Sequence, residues 1–77
     1  MHAGPLSSPR LQRVLKALTE AEGKPLTTRQ IVRRAGVMAV NACVSELRHH
    51  GAEIECSQRI VNGARRFFYL MKKAPDQ

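Results

Sequence analysis

Four apolar residues, Leu11, Val14, Leu15 and Leu18, recur at i, i+3, i+4 and i+7, and Ala21 extends the stripe. Arg10, Gln12, Arg13, Lys16 and Glu20 take the remaining faces, a spacing that predicts an amphipathic helix. Ser8 stands where an N-cap belongs and Pro9 where a missing N–H costs nothing, while Gly23, with Pro25 just beyond, supplies the stop. Pro25 biases Lys24 towards an extended conformation, and Leu26 reads as a token strand. Thr27 and Gln30 have the spacing of a capping box. They open a short helix over about Thr28 to Ala35, with Ile31, Val32 and Ala35 inward and Gly36 at its end. A third helix is expected from about Ala39 to His50, with Val40, Val44 and Leu47 in one stripe, Cys43 beside them and Gly51 as the stop.

Beyond Gly51 the period falls from 3.6 to 2. Ile54, Cys56, Gln58 and Ile60 alternate with Glu55, Ser57, Arg59 and Val61, the pattern of a strand. Asn62-Gly63 is a strong hairpin signal, because a type I′ turn needs positive φ at both central residues. The returning strand is expected over Arg65 to Met71, and a two-residue loop sets Arg59 opposite Arg66. Phe67 to Met71 is apolar at every position, so one face should cover the helical core. The other face packs under the first helix, covers the connector near Leu26, or forms a dimer contact. The expected class is α+β, mainly α with a small β-hairpin, in the order helix, short strand, helix, helix, strand, wing, strand. That order belongs to the winged helix-turn-helix. Residues 8–72 form the expected domain, with flexible tails over residues 1–7 and 73–77.

Seventy-seven residues make one small domain. Thirteen Lys and Arg against six Asp and Glu leave a formal charge of +7, which favours a polyanionic partner, nucleic acid before an anionic membrane surface. No run approaches the about 18 to 20 apolar residues of a membrane span, and the first residues lack the pattern of a secretory leader. With only two cysteines, Cys43 and Cys56, the expected location is the cytoplasm. Metal binding is not expected: there is no C-x-x-C or H-x-x-x-H spacing, and adjacent His49 and His50 diverge on a helix. No cofactor, small-molecule substrate or enzymatic activity is expected either, because no nucleophile–base arrangement and no Gly-rich phosphate loop is present.

In a helix-turn-helix the second helix braces while the third lies in the major groove, and the hairpin reaches a neighbouring backbone or minor groove. With Val40, Val44 and Leu47 inward, Met38, Asn41, Ala42, Ser45 and His49 turn outward and Arg48 lies at the flank. Asn41 suits a bidentate contact to adenine, Ala42 a thymine methyl, and Ser45 a base or phosphate, whereas His49 adds charge only when protonated. Glu46, a carboxylate near the groove, is expected to pair with Arg33 or Arg34 in preference to accepting from a cytosine amino group. Arg59, Arg65 and Arg66 flank Asn62 at the hairpin tip, where directly opposed Arg59 and Arg66 repel unless an anion lies near. Thr27, Thr28 and Arg29 at a helix N-terminus suit a phosphate. Phe67, Phe68 and Tyr69 are of the type that stacks on bases in single-strand binders, but on this strand they are expected to cover the core.

From Leu11 to Leu70 the chain resembles the small helix-turn-helix domains common in phages and prophages. The matching residues are Gly36-Val37, Ser45-Glu46-Leu47-Arg48, Gly51, Glu53-Ile54-Glu55 and Phe68-Tyr69-Leu70. The resemblance departs at Cys43, where that family often carries a basic residue. It implies a double-stranded DNA-binding module of the regulatory kind, acting with a homodimeric or larger regulatory partner. A winged helix used for protein–protein contact, as in phage assembly or antagonist modules, is the main rival, and a basic RNA binder is another. DNA binding predicts affinity that falls steeply with salt, which an interface built on the apolar strand does not.

Overall fold

A computed structural model describes residues 6–76. Residues 1–5, most of the expected N-terminal tail, lie outside the described residues, as does Gln77. The described residues are α+β, with three helices and one three-stranded antiparallel sheet, an arrangement compatible with a small winged-helix-like fold. The elements follow as α1 (Pro9–Glu20), β1 (Leu26–Thr27), α2 (Thr28–Ala35), α3 (Val40–His49), β2 (Glu53–Val61) and β3 (Ala64–Lys73).

The stripe on α1 is the first wall of the core: Leu11, Val14, Leu15 and Leu18 are all buried. Ser8 holds the N-cap position, but its side chain makes no capping bond, so Pro9 and the backbone alone start the helix. At α2 both bonds of the capping box form: the Gln30 N–H donates to Thr27 Oγ1 at 3.1 Å, and the Thr27 N–H donates to Gln30 Oε1 at 2.9 Å. Gly36 then takes a left-handed conformation (φ 66°, ψ 31°) and turns the chain sharply enough for Val37 to be buried. Arg13 on α1 donates its Nε–H to the carbonyl of Ala35 at 2.8 Å, satisfying a carbonyl at the C-terminal end of α2.

Helix α3 buries Val40, Cys43, Val44 and Leu47. Its last turn closes through Gly51, with the Ala52 N–H donating to the Leu47 carbonyl at 3.0 Å. Strand order is β1-β3-β2. Asn62 and Gly63 both have positive φ, 51° and 78°, and Val61 pairs with Ala64, as the tight turn requires. Arg59 stands opposite Arg66, the register that the turn dictates.

The apolar run on β3 now has its explanation. Tyr69 faces the core and is buried, with Met71 packed beside it. The edge of β3 is covered by β1, where Leu26 pairs with Tyr69 and Thr27 with Phe68. On the far face the Arg59 guanidinium lies 5.2 Å from the centre of the Phe68 ring. Order also continues past Lys72, where the sequence reading ended the domain. β3 runs to Lys73, Pro75 is buried, and the Asp76 N–H donates to the His50 carbonyl at 2.9 Å.

Candidate nucleic-acid interface

The exposed side of α3 is built from the residues left over when the core stripe is removed. Asn41, Ala42, Ser45, Arg48 and His49 are exposed, and Met38, in the turn before the helix, is 92% exposed. Arg48 has a second task. Its Nε–H and one terminal N–H donate to the Ile54 carbonyl at 3.1 and 2.6 Å, which ties the end of α3 to the start of β2. Arg48 is therefore a brace as well as an exposed cation at the flank of α3.

Glu46 is likewise settled within the chain, and not by Arg33 or Arg34. Arg10 of α1 donates to Glu46 Oε2 at 2.7 Å and to Cys43 Sγ at 3.2 Å. The Glu46 carboxylate, with the Cys43 sulfur, raises the Arg10 pKa above its ordinary value. This contact offsets the one carboxylate on α3 and fixes that helix against α1. No local pattern advertises it, because Arg10 and Glu46 are 36 residues apart.

Beside α3, a groove of about 430 Å³ runs between the start of α2 and the free edge of β3. Thr27, Thr28, Arg29 and Val32 form one bank, and Arg65, Arg66 and Phe67 the other. Thr28 and Phe67 also line a second hollow of about 340 Å³ that reaches Met38, Asn41 and Cys56. The cationic groove thus adjoins the hollow at the N-terminal end of α3, with Thr28 and Phe67 common to both. Among the described residues, none of Arg29, Arg65 and Arg66 forms an ion pair with a carboxylate. Thr27 is different, since its hydroxyl already serves as the cap of α2.

Strand alternation divides the hairpin's three arginines. Arg65 shares the inner face with Ile60, Phe67 and the buried Tyr69, whereas Arg59 and Arg66 share the outer face with Phe68. Phe67 and Ile60, 44% and 75% exposed, join Met38 as the large apolar residues most open to solvent. Sequence reasoning passed over Phe67 as a lining residue because the apolar run looked like core throughout. Burial pushes the Tyr69 phenol up, Cys56 adds to that, and a hydrogen bond with Thr28 pulls the other way.

Among the described residues, no three His, Cys, Asp or Glu side chains gather as metal ligands, and both cysteines are free thiols. No helix among the described residues is long and apolar enough to cross a membrane. Comparison with protein families, with characterised proteins and with solved structures finds no match for this chain.

Proposed function

We propose that this chain is a double-stranded DNA-binding module of the winged helix-turn-helix kind, a transcriptional regulator of phage or prophage type. In this reading α3 enters the major groove and the β2–β3 hairpin, the wing, lies on the backbone. One observation carries it: Arg29, Arg65 and Arg66, without carboxylate partners among the described residues, line a groove that adjoins the uncharged N-terminal end of α3 at Met38 and Asn41. Cations held beside a neutral face divide the work as DNA recognition needs. Phosphate contacts position the module, and small polar side chains such as Asn41 and Ser45 meet base edges.

The rival, a module that binds protein through its apolar strand, loses most of its motive. Tyr69 is buried in the core, Leu26 and Thr27 cover the strand edge, and Arg59 lies over Phe68.

The test is a fluorescence-anisotropy titration of a random-sequence DNA duplex at two salt concentrations, using the wild type and R29Q/R65Q/R66Q. Circular dichroism checks that both proteins are folded. The expected result is wild-type binding that weakens steeply with salt and a variant that binds poorly at both concentrations. Absence of duplex binding at low salt refutes the reading, and preferential competition by duplex RNA redirects it to RNA.

A further inference from the structure

Strand β2 is an open edge. It pairs only with β3, and every residue from Cys56 to Ile60 is exposed, while at the start of the strand Ile54 is buried and Arg48 caps its carbonyl. Long edge strands are normally blunted by proline, lysine, a mid-strand bulge or a covering loop. β2 contains neither proline nor lysine, and its one irregularity lies at Glu53/Ile54, where the strand begins.

We propose that this edge pairs antiparallel with the same edge of a second copy, joining two three-stranded sheets into one of six strands. The argument is charge complementarity. Two-fold pairing centred on Ser57, the middle residue of β2, uses the exposed stretch around it and sets Glu55 of each copy opposite Arg59 of the other. Both residues stand on the outer face, where opposed side chains in an antiparallel pair come within about 4.5–5.5 Å at Cβ. On the inner face the same register sets Ile60, 75% exposed in the single chain, opposite Ile54 of the other copy. A shift of two residues either way about the same kind of axis loses the reciprocal Glu55–Arg59 pairs.

The groups are free to make this contact. Glu55 accepts from Lys72 of its own chain through one oxygen, at 2.7 Å, which leaves the carboxylate's second oxygen for a guanidinium. Beside its contact with the Phe68 ring, Arg59 forms no hydrogen bond or ion pair with the other described residues, which leaves its N–H groups for a carboxylate. Repulsion between two bodies of charge +7 is screened beyond about 8 Å at physiological ionic strength, while the opposed pairs lie inside that distance. The two-fold axis of such a pair is perpendicular to the sheet, so both copies of α3 emerge on the same side.

The test needs no nucleic acid, so it stands or falls apart from the proposed function. Sedimentation equilibrium at physiological salt compares the wild type with E55R, R59E and E55R/R59E. The wild type is expected to be dimeric, each single swap to weaken the dimer by about tenfold or more, and the double swap to restore it. R59E is the sharpest case. It lowers the net charge, so general repulsion predicts a tighter dimer, whereas the proposed register predicts a weaker one. A second measurement keeps the native charges: S57C in a C56S background is expected to form an intermolecular disulfide across the axis on mild oxidation. A monomeric wild type overturns the proposal, and so does a dimer indifferent to the swaps or a failure of S57C to cross-link.

Discussion

Removing one guanidinium from the groove tests location against mere charge. R65Q takes a cation from the groove between α2 and β3, and R34Q takes one from the opposite region, where Arg34 lines a hollow with Arg13, Lys16 and Glu20. Both variants carry the same net charge, so a binder driven by its overall field responds alike to either. A DNA backbone seated in the groove does not. Each phosphate neutralised contributes about 0.9 to the slope of log affinity against log salt, so Arg29, Arg65 and Arg66 together contribute about 2.7. Across a fourfold rise in salt, from about 50 to about 200 mM, those three contacts account for a roughly 40-fold loss of affinity. R65Q should lower the slope by about 0.9, making the salt-induced loss about 3.5-fold smaller, while R34Q leaves the slope unchanged. Anisotropy titrations of one duplex at four or more salt concentrations supply the slopes. Equal slopes for the two variants refute the placement of the phosphate contact, even if both proteins bind DNA.

Two further outcomes follow from the same geometry. R48M removes both hydrogen bonds to the Ile54 carbonyl and keeps much of the aliphatic stem, so urea denaturation should register a loss of about 1–2 kcal/mol. An unchanged midpoint would mean that Arg48 braces nothing. The sole tyrosine gives a clean ultraviolet titration, and Tyr69 should ionise above the ordinary phenol range because burial disfavours the phenolate. A raised folded pKa means that its stabilising contribution is complete below the unfolded pKa and is lost as pH climbs through the folded one. Ionisation at or below the ordinary value in the folded protein would contradict this.

What could be read from the sequence was what is decided locally. The capping box at Thr27 and Gln30, the left-handed Gly36 and the Asn62-Gly63 turn each depend on a few neighbouring residues, and the structure has all three. The Arg59–Arg66 register follows from the turn by counting. Ser8 marks the limit of this logic, since a good capping residue in the right place makes no capping bond. The exposed α3 residues were legible from the 3.6 period, but the bracing task of Arg48 was not. Its partner is a backbone carbonyl in β2, and backbone acceptors carry no side-chain signature. The Arg10–Glu46 contact and the pairing of Leu26 with Tyr69 are long-range, set by how α1 meets α3 and how β1 meets β3. The groove, too, exists only once β1 ends and α2 turns away from the edge of β3.

In the proposed DNA-binding reading, the uncharged start of α3 beside a cationic bank bears on how much one copy could accomplish. Met38, Asn41, Ala42 and Ser45 offer one amide, one hydroxyl and two apolar contacts, enough for a few base edges. The remaining attraction comes from arginines that meet any phosphate, so a single copy would bind duplexes with little discrimination. Strengthening the basic groove would raise affinity for every sequence equally and leave that ratio where it was. A second α3 on the same side of a shared sheet acts differently, because it doubles the base edges read and fixes their spacing. The Arg59 guanidinium has a place in that arrangement as well. Opposed to Arg66 it is repelled within its own hairpin, and the partner's Glu55 would supply the anion that its own strand pair lacks.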